Sequence, residues 1–363
     1  MTSADLPVDT SCPVLVTGAT GYVAGWIVHD LLAAGVTVHA TVRDPVRDPV
    51  RDPADTARTA HLTQMGRSLP GTLRLFGADL LVEGSFAEAM TGCGIVFHTA
   101  SPFSTSVSDP RRDLVEPALN GTRNVLGTAG VTGSVARVVL TSSVMAMFGD
   151  AADIAEQPGG VLTEDAWNTT SSLTHQPYPY SKTLAERAAW EMAGARDQWR
   201  LVVINPGLVI GPALNPAPTS DSFELVKALG DGRTRIGAPR LALGAVDVRD
   251  LSAAHLAAAY LPEAEGRHII SGHDTDMLEL GLVLRDRFGA THPLPTRAMP
   301  KWLIWLAGPF LGPVTRRFVA RNVDQVYRTD NSKSRERLGV TYRPLRVSME
   351  DMFAQMVERG AFR

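Results

Sequence analysis

The 363-residue chain holds only two cysteines, Cys12 and Cys93. That is too few for a disulfide framework, and no His/Cys cluster carries zinc-ligand spacing. A charge excess is also missing: 35 Lys and Arg stand against 38 Asp and Glu, a net charge of −3. This balance gives no electrostatic ground for a nucleic-acid or anionic-membrane partner. No apolar run is long enough to span a bilayer. The most apolar stretch, Trp302 to Leu311, is interrupted by Gly308-Pro309 and reads as a buried or substrate-covering helix. Residues 1–10 include Asp5 and Asp9, with no basic residue and no apolar core of signal-peptide length. Together these absences lead to the expectation of a reduced, cytoplasmic protein whose partner is a small molecule.

What is present is an alternation of short apolar runs and helical patterns. Val14-Leu15-Val16-Thr17 has the aliphatic, β-branched character of a buried parallel strand. It ends in Gly18-Ala19-Thr20-Gly21-Tyr22-Val23-Ala24-Gly25, and a helix pattern runs from Trp26 to Ala34. Strand, glycine turn and helix in that order place backbone N–H groups and a positive helix end where a pyrophosphate can sit. The candidate contacts are Thr17, Gly18, Thr20, Gly21, Tyr22 and Val23, with Ala24 at the third small position of the fingerprint.

Val36 to Val42 reads as the second strand, closing a βαβ unit. An arginine at its end can pair with the extra phosphate of NADP, whereas a carboxylate would bind the ribose hydroxyls of NAD. Arg43 comes first here and favours NADP; the alternative has Asp44 facing the ribose. Val42-Arg43-Asp44-Pro45 then repeats through Pro49 and Pro53. The prolines preclude a continuous helix, so the extra copies read as an expanded surface loop, with Arg47 or Arg51 reaching the phosphate as the functional alternative.

The alternation continues. Leu73 to Phe76 is a third strand ending at Gly77-Ala78-Asp79-Leu80, and Phe86 to Met90 suggests a helix. Ile95 to His98 is a fourth strand ending at Thr99-Ala100-Ser101-Pro102. A helix follows over roughly Arg112 to Ala129, then a fifth strand, Val138 to Leu140, ends at Thr141-Ser142-Ser143. The sixth, Leu201 to Ile204, ends at Asn205-Pro206-Gly207. Ligands of an open parallel sheet bind beyond the carboxyl ends of its strands, and Gly18, Arg43, Asp79, Ala100 and Ser143 all fall at such ends.

Between the fifth and sixth strands, Tyr178-Pro179-Tyr180-Ser181-Lys182 leads into a helix-favouring segment. On a helix, Tyr178 and Lys182 share a face one turn apart. The lysine then stands as a fixed cation that favours the phenolate. A fall of about 3 pKa units would be needed for an acid working near neutral pH, more than one lysine supplies, so the pair makes chemical sense beside a cationic nicotinamide.

The expected fold class is therefore α/β: a doubly wound parallel sheet (Rossmann) with a smaller, mainly helical C-terminal substrate lobe. Residues 1–211 form the dinucleotide domain, with 245–272 returning to it, while 212–244 and 273–363 form the lobe.

The glycine turn, Thr99-Ala100-Ser101-Pro102, Glu116 to Leu126, Thr141-Ser142-Ser143 and Tyr178 to Lys182 together resemble the extended short-chain dehydrogenases/reductases. More narrowly, they resemble the group containing dihydroflavonol 4-reductase, cinnamoyl-CoA reductase and microbial aldehyde or ketone reductases. The similarity is dense from Val14 to about Gly211 and thin beyond, apart from Leu338 to Val340 and Tyr342 to Leu345.

The resemblance implies a catalytic set of Ser143, Tyr178 and Lys182, with Ser142 as a one-position alternative to Ser143. It also implies NADP(H) as cofactor, with Asp79 and Leu80 bordering the adenine, Thr99, Ala100 and Ser101 the ribose side, and Pro206, Gly207 and Leu208 the nicotinamide. Phe103, Val144, Met145 and Met147 are candidates either for substrate-pocket walls or for ordinary core. His98, His175 and His255 read as structural or surface residues. Competing activities are a nucleotide-sugar epimerase or dehydratase, a 3β-hydroxysteroid dehydrogenase and, remotely, a non-catalytic NADP sensor. A monomer and a homodimer remain equal expectations.

Overall fold

The structure, a computed structural model, describes residues 6–43, 59–101, 107–311 and 314–362. Asp44, the repeated segment with Arg47 and Arg51, Pro102 and Phe103 lie outside the described residues.

The first βαβ unit comprises β1 (Val14–Val16), α1 (Tyr22–Ala33) and β2 (Thr37–Val42). The helix starts four residues earlier than the expected Trp26. Gly21 N–H donates to Gly18 O and Gly25 N–H to Gly21 O, so helical hydrogen bonding begins directly at the glycine turn. Next come α2 (Ala60–Ser68), β3 (Thr72–Gly77), α3 (Ala87–Met90) and β4 (Ile95–His98). The helix expected from Arg112 begins as a wide π turn, Arg111–Val115, that passes into α4 (Glu116–Val131). Pro117, which has no N–H to donate, sits at this junction and accounts for the irregular start. Then follow β5 (Arg137–Thr141), α5 (Pro177–Gly194) and β6 (Arg200–Pro206).

These strands, with β9 (Gly266–Ile270) at the far edge, make a seven-stranded parallel sheet in the order β3-β2-β1-β4-β5-β6-β9. Its direction of growth reverses between β1 and β4, which creates the ligand crevice of a doubly wound fold. Residues of β1, β2, β4 and β5 are buried almost throughout, as expected for strands covered by helices on both faces.

A second sheet, in the order β10-β8-β7, contains β7 (Leu208–Ile210), β8 (Ala242–Asp247) and β10 (His273–Asp276). The segment around Val246, read from sequence as returning to the core, runs in this small sheet as β8, and Val246 itself is buried in the same core as Ile27 and Val38. The helix after it, α7 (Val248–Tyr260), returns there too: Leu251, Ala254 and Ala258 share a core with Ile27, Leu31 and Val38. A separate core joins α6 (Asp221–Gly230) to the C-terminal helices, with Phe223, Val226, Met352 and Phe353 inside it. The C-terminal helices are α8 (Met277–Leu282), α9 (Arg285–Phe288), α10 (Lys301–Leu311), α11 (Arg316–Asn322), α12 (Ser332–Arg337) and α13 (Leu345–Glu358), of which α8, α9 and α13 contribute to this core.

Of the two expectations for the apolar stretch in α10, a buried or a substrate-covering helix, the structure excludes the buried one. Trp302 is 67% exposed and Trp305 42%, and the Arg316 guanidinium lies 4.5 Å from the Trp305 ring centre. Among the described residues, no helix is long and apolar enough to cross a membrane.

Candidate active site

The glycine turn after β1 brings two strand ends into contact. Gly18 has φ +67°, and a Cβ there would stand 3.0 Å from the Ala100 Cβ, so the position demands glycine for both conformation and space. Thr17, completely buried, ties the same junction: its Oγ1 accepts from the N–H groups of Thr99 at 3.1 Å and Ala100 at 3.0 Å. Thr99 Oγ1 in turn donates to Thr17 O at 2.5 Å.

The first turn of α1 carries no acidic residue, and its N-cap, Gly21, makes no side-chain cap. This helix end suits an anion. Thr20 O is held by Asn215 Nδ2 at 2.8 Å, whereas the Tyr22 hydroxyl turns away into the second core and donates to Gly211 O. Tyr22 and Val23 therefore offer the site their helix-end backbone, while their side chains pack between the cores.

Arg43 is exposed at the carboxyl end of β2. Asp79 Oδ1 accepts from Leu81 N–H at 2.8 Å and shapes the loop after β3. Asn124 on α4 pins that loop through Leu80 O and Val82 O. After β6, a Cβ at Gly207 would come within 2.5 Å of Gly244 O. Only a glycine between Pro206 and Leu208 lets the chain cross from the large sheet to the small one.

Helix α5 carries Tyr178 and Lys182 on one face, as the spacing predicts, with Lys182 Nζ 5.7 Å from the centre of the Tyr178 ring. Lys182 also donates to Ser101 Oγ at 3.0 Å, which links α5 to the end of β4. It is not the fixed cation expected from sequence: burial lowers its pKa to about 8, with Glu186 opposing only part of that shift. Nor does the lysine by itself depress the tyrosine. Protein surrounding the phenol, and secondarily the charge of Asp221, push the Tyr178 pKa up to about 12. The side chain nonetheless keeps 44% of its surface open to solvent, which lets water offset part of that rise. Without a further cation, Tyr178 remains protonated across the neutral range.

The serine pair divides in two. Ser142 is buried and its hydroxyl donates to Glu186 Oε2 at 2.5 Å. Ser143 begins a short 3-10 turn, Val144–Ala146, and its Oγ accepts from Met145 N–H at 3.2 Å. Glu186 is the centre of a buried network that the sequence reading missed. It receives Arg267 Nε at 2.6 Å and Asn205 Nδ2 at 2.8 Å, and Asn205 Nδ2 also reaches Ser143 O at 3.1 Å. The Arg267 guanidinium lies 4.1 Å from the Trp167 ring centre. Glu186 was legible as the residue one helical turn past Lys182, but its partners come from β6 and β9, far along the chain.

Of the pocket-wall candidates, Val144 and Met147 belong to a buried cluster with Phe148, Ile154 and Tyr327, against which Met145 is only partly covered. A small pocket behind the site is lined by His98, Ser101, Thr122, Ser142, Lys182 and Glu186. His98, His175 and His255 are all buried. Burial holds the pKa of His98 at about 3 and that of His255 at about 4, so both rings are neutral. Among the described residues no group of acidic, histidine and cysteine side chains could hold a metal ion.

A doubly wound sheet with a glycine cradle at its switch point, and a tyrosine–lysine helix at the same edge, defines a dinucleotide-dependent oxidoreductase of the short-chain type. Residues 14–270 match the NAD dependent epimerase/dehydratase family, and the chain belongs to it, among the extended short-chain dehydrogenases/reductases. A cinnamoyl-CoA reductase, CAD2, of Medicago truncatula is 34% identical over 349 residues, covering 95% of this chain and 96% of that one. A dihydroflavonol 4-reductase of Hordeum vulgare is 36% identical over 284 residues, covering 76% and 75%. Among solved structures, the yeast methylglyoxal/isovaleraldehyde reductase Gre2 complexed with NADPH superposes with a TM-score of 0.76 at 26% identity, covering 97% of this chain and 100% of that one. The protein is an NAD(P)-dependent reductase of this family.

Proposed function

We propose that the protein reduces aldehydes or ketones to alcohols with NADPH, using Ser143, Tyr178 and Lys182. The observation that carries this reading is the position of Lys182, which reaches both the Tyr178 ring and the end of β4 through Ser101. The turn Gly18 to Val23 would hold the pyrophosphate on the N-terminus of α1. Arg43 would face the 2′-phosphate, Asp79 and Leu80 the adenine, Thr99 to Ser101 the ribose side, and Pro206 to Leu208 the nicotinamide. The NADPH named for the yeast and Candida albicans Gre2 structures supports the choice of cofactor.

Bound NADPH supplies the hydride for the carbonyl carbon. Tyr178, protonated at neutral pH, donates its proton to the carbonyl oxygen as negative charge develops there. Ser143 is assigned a hydrogen bond to the same oxygen, because Ser142 is committed to Glu186. Lys182 steadies the ribose and, with the cationic ring of the oxidised cofactor, offsets the rise that burial imposes on the phenol. The decisive experiment measures initial rates with NADPH and NADH over aldehydes, ketones, ketoesters and steroids, with Tyr178→Phe alongside. Undiminished turnover in that variant would remove the mechanism, and a tightly retained NAD with no net turnover would point to an epimerase.

A further inference from the structure

Outside the dinucleotide cleft, a cluster of buried charge centres on Asp150. Its carboxylate is completely buried and collects partners from two other segments of the chain. From the stretch leading into α5 come His175 Nε2 at 2.7 Å and Gln176 Nε2 at 3.2 Å. From α11 come Arg321 Nε at 2.9 Å and Asn322 Nδ2 at 2.7 Å. Asp150 itself lies in the segment that continues from Ser143 through the 3-10 turn, and Asn322 Oδ1 accepts from the next N–H, that of Ala151, at 2.9 Å. Asp153 doubles the link: it pairs with Arg321 and accepts from the N–H groups of Gly149 at 3.0 Å and Asp150 at 2.9 Å.

The arrangement acts on one backbone position in particular. Gln176, the N-cap of α5, stands two residues before Tyr178 in the left-handed region, φ 56° and ψ 56°, where a glutamine is disfavoured. Its amide donates to both Gly149 O and Asp150 Oδ1. The first turn of the tyrosine helix is therefore aimed by a side chain latched to the serine segment, and that latch is backed by α11 of the C-terminal helices.

We propose that Asp150 is a positioning residue, which through Gln176 fixes where Tyr178 stands relative to Ser143 and couples that geometry to the seating of α11. This rests on the reductase reading above. A merely structural role and a positioning role separate at Gln176. Glycine adopts positive φ freely, so Gln176→Gly keeps the backbone bend while deleting the latch.

The test measures kcat, KM, NADPH affinity and melting temperature for Gln176→Gly, Asp150→Asn and Tyr178→Phe. It adds amide exchange of Tyr178, Tyr180, Ser181 and Lys182 in wild type and Gln176→Gly. For Gln176→Gly the expected result is a melting temperature at or above wild type, unchanged NADPH affinity and a kcat lower by about 10- to 100-fold, the cost of roughly 1 Å of misplacement. Exchange at Tyr180, Ser181 and Lys182 should rise as the first turn of α5 opens more often. Wild-type kcat together with wild-type exchange in Gln176→Gly would overturn the proposal, even if Asp150→Asn failed to fold. Wild-type turnover in Tyr178→Phe would instead sink the reductase reading, and the exchange comparison would still decide whether the latch holds α5.

Discussion

The Ser142 hydroxyl donates to Glu186 Oε2 at 2.5 Å, whereas Ser143 Oγ accepts from Met145 N–H, so two adjacent serines at one strand end have different partners. Ser143→Ala is expected to lower kcat by about 10²- to 10³-fold, as for loss of one oxyanion donor, with little change in urea midpoint. Ser142→Ala should cost about 1–3 kcal/mol of stability, because it strips a donor from a buried carboxylate, and should leave most of kcat. Steady-state kinetics and urea unfolding on the two variants check this, and a reversed pattern would move the role to Ser142.

Glu186 supplies the counter-charge for Arg267, which is 7% exposed. Glu186→Ala leaves that guanidinium buried and unpaired, at a cost of about 3–5 kcal/mol. Thermal unfolding reads this directly. A Glu186→Ala, Arg267→Met double variant should recover part of the loss, and no recovery would show that the pair is not coupled.

With its pKa lowered to about 8 by burial, Lys182 is expected to set the alkaline side of the activity. With Tyr178 protonated throughout, kcat/KM for reduction should be level from about pH 6 to 7 and fall above about pH 8 as the lysine loses its proton. Lys182→Arg cannot lose its charge in this range, so the limb should move upward even though absolute rates drop. A limb left in place would belong to another group. For stability the sign is opposite: the unfolded lysine, near 10.5, binds more protons between pH 8 and 10.5. Stability from this group therefore rises with pH through that window.

Arg43 is the selectivity residue of the cofactor reading. Losing its charge-assisted bonds to the 2′-phosphate, about 1.5–3 kcal/mol, should weaken NADPH by roughly 10- to 150-fold in Arg43→Ala. NADH affinity should stay level, because NADH has no such phosphate. Fluorescence titration with both cofactors measures it, and an equal loss for both would remove Arg43 from that role.

Three buried histidines predict acid sensitivity. Burial depresses His98 and His268 to about 3 and His255 to about 4. The unfolded chain takes up protons on all three near pH 6.5 while the native one does not, so stability falls as pH drops below that value. At about 1.4 kcal/mol per proton and pH unit, the combined slope is on the order of 4 kcal/mol per unit between pH 6 and 4. Urea midpoints against pH test this, and a flat profile there would show that the rings are protonated in the native state.

The dinucleotide half was legible because its signals are local. Gly18 and Gly21 follow one strand and open one helix, and each strand from β1 to β6 is a short apolar run, so residues near in sequence settled both element and edge. The Tyr178–Lys182 pair is a one-turn spacing that any helix realises. The start of α1, the π turn before Pro117 and the second sheet were less legible. The last depends on Gly207 approaching Gly244, 37 positions apart in the chain.

By itself the sequence determined the alternating α/β order, the glycine turn after the first strand and the one-turn spacing of Tyr178 and Lys182, because these depend on side-chain period and backbone freedom within a few residues. Only the tertiary structure decided the state of those groups. Burial, a property of the whole packed molecule, takes Lys182 down to about 8, and the protein around the half-exposed Tyr178 phenol raises its pKa. Long-range contacts divide Ser142 from Ser143 through Glu186, and join Asp150 to Gln176 and Arg321.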